Sequence, residues 1–240
     1  MSKTAPVGPD VAGWRPARWP DESQIAGRLV RLERLRADDH AAELHAAFAG
    51  RPDLWTYLGY GPFTTAAEYR RWVEGMESQR DPCFYAIRDL ATGQAAGVAA
   101  FLRITPEHGT IEVGHICLSP ALQGTRAATE AMMLMMRWTF ASGYRRYEWK
   151  CDALNRPSRR AAERFGFSYE GTFRQHMIYK GRNRDTAWFA MTDGDWARLR
   201  PCYERWLSDE NFDGAGRQRE SLSALTRPFL VTTDPDRVAG

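Results

Sequence analysis

The sequence predicts one mixed α/β domain, and three observations carry that prediction. Three strand-like runs lie between residues 83 and 118 with only short turns between them, which imposes an antiparallel meander. A long apolar run, Arg126 to Ser142, has helical length and stops at Gly143. After it, strand-like and helical segments alternate up to Leu207, which marks a mixed architecture rather than separate all-α and all-β parts. The composition agrees: 240 residues with 43% hydrophobic and 26% charged residues exclude a disordered or collagen-like chain. A chain of this size buries about 70% of its unfolded surface, so it needs no disulfide staples.

The elements follow in order. Residues 1–26 hold Pro6, Pro9, Pro16 and Pro20 and little periodicity, so they read as an extended N-terminal arm with Trp14 and Trp19 as anchors. Order begins near Gly27. Leu29 to Glu33 alternates as a first strand, and Asp38-Asp39 caps a helix through about Ala49. Residues 52–63 form a loop dense in aromatics. Thr64-Thr65 with Glu68 has the form of a capping box and starts a helix through about Ser78. The meander strands are Cys83–Ile87, Ala96–Ile104 and Thr110–Leu118, separated by the Thr92-Gly93 and Pro106–Gly109 turns. In the long helix, Met132, Met133, Met135, Met136, Trp138 and Phe140 are apolar on nearly every side, so it is expected to be buried. A strand (Tyr147–Cys151), a short helix (Pro157–Phe165), a strand pair (Phe167–Ile178 and Arg184–Thr192) and a helix (Asp195–Leu207) complete the domain. Residues 27–207 are thus the domain, and 208–240 read as a polar tail with weak structure signals.

Charge and cysteine usage exclude several function classes. Of 33 basic residues only Lys3, Lys150 and Lys180 are lysine, and the arginines are spread among acidic neighbours. A nucleic-acid binder would gather them into one stripe, so no general nucleic-acid binding is expected. Cys83, Cys117, Cys151 and Cys202 form no C-x-x-C pair, which argues against a metal site or a disulfide framework. No apolar run reaches the roughly 20 residues of a membrane span, and the Met1–Pro6 start lacks a secretory h-region. A cytoplasmic protein without membrane partners is expected.

Chemistry enters at two strand–turn–helix joins. In Leu118-Ser119-Pro120-Ala121-Leu122-Gln123-Gly124-Thr125-Arg126-Ala127-Ala128 a strand ends, small residues turn and a helix begins. Unpaired N–H groups at such a helix start hold anions, and small residues let a phosphate approach. The second join, Asp152 to Phe167, places Asn155 and Ser158 at the mouth of the next helix. Together the two joins resemble the GCN5-related N-acetyltransferase (GNAT) superfamily, whose motifs read Q/R-x-x-G-x-G/A and N-x-x-S…GF. Glu112-Val113-Gly114-His115, Thr129-Glu130-Ala131, Arg28 to Leu32, Tyr60-Gly61-Pro62 and Asp185 look more specifically like the ribosomal-protein N-terminal acetyltransferase (RimJ/RimL-type) branch.

The resemblance implies a twisted, mostly antiparallel sheet with helices on both faces and a splay between its two central strands. It implies acetyl-CoA as acyl donor, no metal, a primary amine as acceptor, and a fold compatible with a homodimer. Backbone groups of Ile116, Cys117 and Leu118 would hold the pantetheine, the amides of Gln123, Gly124, Thr125, Arg126, Ala127 and Ala128 the pyrophosphate, and Asn155 the cofactor arm. Glu112 stands where the branch carries a strand glutamate: it is either the general base or the partner of a structural hydrogen bond. His115, three residues on, would point to the opposite face of a regular strand.

Two positions depart from the family pattern. Arg126 occupies the first glycine of the loop, where a positive φ would cost an arginine about 1 kcal/mol or more. Either the backbone is helical there, or the pyrophosphate sits differently; the side chain could also pair with a CoA phosphate. Ala162 stands seven residues after Asn155, where many members carry a tyrosine acid, leaving Ser158 either to donate a proton or simply to start a helix. Trp55, Tyr57, Tyr60 and Phe63 form either a lid over the substrate or a cap on the sheet, and His176 and Asp185 are candidates to line the acceptor pocket. Arg159 and Arg160 are either solvated or contact the CoA adenosine phosphate. Two functions therefore stand: acetyl transfer to an amine by direct attack, or a degenerate domain that binds a CoA-like ligand or a protein without turnover.

Overall fold

The computed structural model describes residues 5–236. Eight strands form one sheet in the order β1-β2-β3-β4-β5-β6-β8-β7. They are β1 (Gln24–Ala26), β2 (Val30–Arg34), β3 (Cys83–Asp89), β4 (Ala95–Thr105), β5 (Thr110–Leu118), β6 (Arg146–Asp152), β7 (Ser168–Tyr179) and β8 (Arg182–Thr192). All neighbours are antiparallel except the central pair β5–β6. Helices cover both faces, as the sequence led us to expect. They are α1 (Ala37–Phe48), α2 (Ala66–Glu77), α3 (Arg126–Ala141), α4 (Arg156–Arg164), α5 (Asp193–Leu207) and α6 (Leu222–Thr226).

One core lies under α3, α4 and α5. Met132, Met135 and Met136 of α3 meet Phe101, Ile111, Val113 and Tyr147 of the sheet, so the methionine-rich helix is the buried centre of the molecule. The second core lies on the opposite face, where α1 and α2 pack on Phe84, Ala86, Val98, Ala100 and Cys117. It ends at β5, because none of its residues comes from β6, β7 or β8. The Thr65–Glu68 capping box forms as read, with each side chain accepting the other's backbone N–H. At α1 the expected cap does not form: Arg36 takes the cap position, and Asp38 and Asp39 lie in the first turn, where they still favour the helix dipole.

The described parts of both flanking segments, residues 5–26 and 208–236, pack on the domain more closely than their composition suggests. Gln24–Ala26, inside the expected arm, pairs with β2 as an edge strand. The Trp14 indole donates to the Glu107 carbonyl at 3.0 Å, and Arg80 stacks on Trp19. After Leu207 the chain turns back. Leu222 is fully buried, and Asp234 forms a buried, charge-assisted pair with Arg159 of α4. The anchors of this segment, Leu222 and Asp234 among them, stand too far apart in sequence to make an apolar run, which is why the composition does not show them. No helix among the described residues is long and apolar enough to cross a membrane.

Candidate active site

The centre of the sheet opens. β5 and β6 pair from Thr110↔Arg146 to Val113↔Trp149 and no further. Beyond that point β5 continues against β4 and β6 against β8, leaving the edge of Gly114–Leu118 without a strand partner on the β6 side. Ile116, Cys117 and Leu118 lie on this open edge. Unpaired backbone N–H and C=O groups there can receive an extended ligand as a further strand would.

A bulge shapes the same strand. Val98 faces Cys117 while Ala100 faces Gly114, so β5 carries one residue more than β4 over this step. His115 takes up the excess at φ +52°. The expectation that His115 points away from Glu112 is therefore corrected, because face alternation fails across a bulge. Its ring stacks on Tyr60 at 5.6 Å and meets Phe84 at 5.0 Å, on the α1–α2 face. Its Nδ1 lies 3.2 Å from the Tyr60 hydroxyl. Burial, reinforced by nearby Lys150, pulls the His115 pKa down to about 4, so the ring is neutral near pH 7 and a poor proton acceptor.

Glu112 shares that face, opposite Leu102 of β4, and its carboxylate is 3% exposed. Lys150 Nζ lies 3.1 Å from Glu112 Oε2, and Arg103 Nε lies 3.5 Å from the same oxygen. Burial pushes the Glu112 pKa up to about 7 against the pull of these two cations. A carboxylate with that pKa takes protons effectively at neutral pH. Neither cation was found from sequence. Lys150 reaches Glu112 only because β6 lies parallel to β5, and Arg103 sits at φ +50° with its N–H donated to Asp81.

The loop before α3 retains the features of an anion site. Gly124 has φ +72°, and a Cβ there would meet nothing within 4 Å. Thr125 caps α3: its hydroxyl accepts from Ala128 N–H at 3.1 Å and donates to the Leu122 carbonyl at 2.7 Å. The N–H groups of Gly124, Arg126 and Ala127 have no backbone acceptor among the described residues. Gln123 is exposed and donates its side-chain amide to the Leu118 carbonyl.

Arg126 is the first residue of α3, so its backbone is helical and the strain of an arginine at positive φ does not arise. Its side chain turns away from the loop. It donates to the Leu207 carbonyl and to Asp209, each at 2.8 Å, and lies 3.9 Å over the Phe212 ring. Arg159 is likewise neither solvated nor available to a phosphate: Asp234, Asp236 and the Ala153 carbonyl hold it in a buried site. Arg160 is exposed.

At the second join Asn155 caps α4, its Oδ1 accepting from Ser158 N–H at 3.2 Å. Ser158 Oγ accepts from the Trp149 indole at 3.1 Å, and its hydroxyl also bonds the Cys151 thiol. Ala162 is fully buried. Cys117, the thiol on the open edge, is pushed up to about 12 by burial, so almost none is thiolate at neutral pH.

The aromatic loop divides. Trp55 is a core residue, 4% exposed, edge-on to Phe48 and Phe63. Phe63 packs with it, also against Trp72. Tyr60 reaches His115, and Tyr57 donates to the Leu154 carbonyl beside Asn155 at 3.2 Å. The β7–β8 hairpin closes on the same loop, with Lys180 Nζ donating to the Trp55 carbonyl at 2.7 Å. His176 Nδ1 lies 2.9 Å from Thr186 Oγ1 and packs against Trp188. Asp185 accepts from the Gln175 N–H at 2.7 Å and from Asn183, fastening the β7 bulge at the surface.

Comparison with known proteins agrees with this geometry. The Acetyltransferase (GNAT) domain family matches residues 30–168. A GCN5-related N-acetyltransferase from Brucella melitensis is 46% identical, over 90% of this chain and all of that one, with a TM-score of 0.88. A probable GNAT-family acetyltransferase from Chromobacterium violaceum is 43% identical over 82% of this chain and all of its own length, at a TM-score of 0.76. A RimL ribosomal L7/L12 acetyltransferase, 23% identical over 70% of this chain and 93% of its own at a TM-score of 0.61, shares the fold. A curated relative from Bacillus licheniformis, the uncharacterized N-acetyltransferase p20, is 25% identical over 73% of this chain and 99% of its own. An open β5 edge, an amide-rich loop at the start of α3 and a buried strand glutamate thus stand in a chain that belongs to the GNAT acetyltransferase family.

Proposed function

We propose that the protein transfers an acetyl group from acetyl-CoA to a primary amine by direct attack, with both substrates bound together. The observation that carries this reading is Glu112: a buried carboxylate with its pKa near 7, on the strand whose free edge forms the splay. The residues present fit acetyl-CoA. The free amides of Gly124, Arg126 and Ala127 suit a pyrophosphate, and the open edge at Ile116–Leu118 suits an extended amide-bearing arm. Asn155 sits at the mouth of the second join, where it would meet that arm. Arg126 contributes through its backbone N–H, since its side chain serves the C-terminal segment.

Acetyl-CoA supplies an activated acetyl thioester, whose C–S bond breaks as the amine nitrogen forms its C–N bond. Glu112, directly or through one water, takes the proton that the amine loses. The need is acute for a lysine-like amine, of which only about 0.04% is neutral at pH 7, and milder for an N-terminal amine, at roughly 10%. Backbone N–H groups of the β5 edge face the carbonyl oxygen as it gains charge, which is often the largest single catalytic contribution. Ser158 steadies the departing thiolate as a hydrogen-bond donor, and the thiolate takes its proton from solvent. Cys117 does not carry the acetyl group, because burial keeps it protonated and no base contacts it. Tyr57, Tyr60, His176 and Asp185 border the acceptor's approach, while Trp55 and Phe63 support it from the core.

Titration calorimetry with acetyl-CoA tests the donor site: a single site should bind, and no heat at millimolar acetyl-CoA would overturn the reading. Following CoA release against a panel of amines then separates a transferase from a binding module.

A further inference from the structure

The sheet face beyond the second core carries an unusual charge pattern. Glu112, Lys150, Thr186 and Trp188 lie side by side on it, through the pairs Lys150↔Trp188 and Asp152↔Thr186. Lys150 Nζ lies 4.9 Å and the guanidinium of Arg103, on β4, 5.2 Å from the centre of the Trp188 ring, so two cations flank one indole. Arg184, on the same face of β8, donates to Thr186 Oγ1, the atom that also meets His176. Three cations thus surround His176 and Trp188, and the carboxylate that faces them is Glu112. Of the next carboxylates Glu148 is paired with Arg146, while the oxygens of Asp152 and Asp185 are taken up by neutral donors, Tyr179 and Leu154 for the first and Gln175 and Asn183 for the second.

The face is open at its outer side. The Arg103 side chain is 53% exposed and Phe173, which packs on Trp188, is 55% exposed. The Trp188 indole N–H has no acceptor among the described residues. Donors therefore outnumber acceptors beside the proposed base. His176 lies in the same field: its pKa is lowered first by burial and then by Lys150, Arg184 and Arg103. A polycationic amine would meet like charge here, whereas an amine carrying a carboxylate would complete the pairing.

We propose that the acceptor is an amine with a carboxylate close to it, recognised by Arg103, Arg184 and Lys150 around Trp188. This rests on the acetyl-transfer reading of the site and adds the acceptor's charge class. Two sources share the chemistry: a free acidic or α-amino acid, and a peptide N-terminus followed by acidic residues.

The test compares kcat/KM for L-glutamate, the peptide amides Ser-Glu-Glu and Ser-Gln-Gln, and spermidine, in the wild type and in the double variant Arg103→Gln/Arg184→Gln. Arg184 does not touch Glu112, whereas Arg103 lies 3.5 Å from it, so the single variant Arg184→Gln is run beside the double one and rates are compared above about pH 8.5, where Glu112 is ionised in both. The carboxylate-bearing acceptor should exceed its neutral or cationic counterpart by about tenfold or more, and the double variant should lose most of that margin. It should keep its acetyl-CoA affinity, and Arg184→Gln alone should keep its rate with Ser-Gln-Gln amide. Preference for glutamate or for Ser-Glu-Glu tells the two sources apart. Equal or better turnover of spermidine, or a margin unchanged in the double variant, overturns the proposal. Calorimetric binding of the same acceptors to the CoA-loaded protein separates the two readings. If carboxylate-dependent binding survives without turnover, the transfer reading fails and the charge assignment stands; transfer without carboxylate preference does the reverse.

Discussion

A carboxylate shut away from water keeps its proton until a cation comes close enough to compete, and Glu112 has two such cations. In its proposed role as base, its pKa, raised from the usual carboxylate range to about 7, places the pH dependence of transfer. The proton must be absent for Glu112 to act, so kcat/KM should rise with pH through an inflection near 7 and then level. The effect on stability has the opposite sign: the fold favours the protonated form, so this contribution is complete below about pH 4.5 and fades as pH rises through 7. Lys150 opposes burial. Replacing it in Lys150→Met should therefore move the inflection to higher pH, and a profile shifted downward would refute the pairing. Arg126→Gly should leave acetyl-CoA affinity within a few-fold, because the side chain points to Asp209 and Phe212. It should instead cost about 1–2 kcal/mol of stability, read by denaturant unfolding.

Single elements show where the sequence spoke plainly and where it did not. The helix start at Thr65 was legible, because a side-chain oxygen that accepts a backbone N–H is a local feature; the caps at Thr125 and Asn155 carry the same signal but were read only as cofactor contacts. The meander strands were legible for a similar reason: alternation and turns are written within a few residues. The β5 bulge was not, since a strand's extra residue shows only against its partner, and the error over the face of His115 followed from it. The tail misled in the same way, its attachment depending on Arg159 meeting Asp234 across 75 residues. Arg159→Ala should leave Asp234 buried without its cation and cost about 3–5 kcal/mol, measured as a lower chemical or thermal midpoint. A midpoint within error of the wild type would show that the segment is not anchored there.

Across the whole molecule, the mixed sheet, the central buried helix and the two strand–turn–helix joins were all predictable, and the resemblance of those joins to a known family predicted the splay. The charged surroundings of Glu112 were not predictable, because they gather residues from β4, β5, β6 and β8 that only the finished topology brings together. The same topology predicts linkage between binding and stability. A ligand seated between β5 and β6 ties the two halves of the sheet, and acetyl-CoA at one hundred times its Kd should stabilise the protein by about 2.7 kcal/mol, seen as a rise in Tm. The most direct measurement is CoA-thiol release with saturating acetyl-CoA and an amine acceptor, for the wild type beside Glu112→Gln. The account predicts amine-dependent release that the variant slows by about a hundredfold or more. Release that does not depend on the amine, or a variant as fast as the wild type, would contradict it.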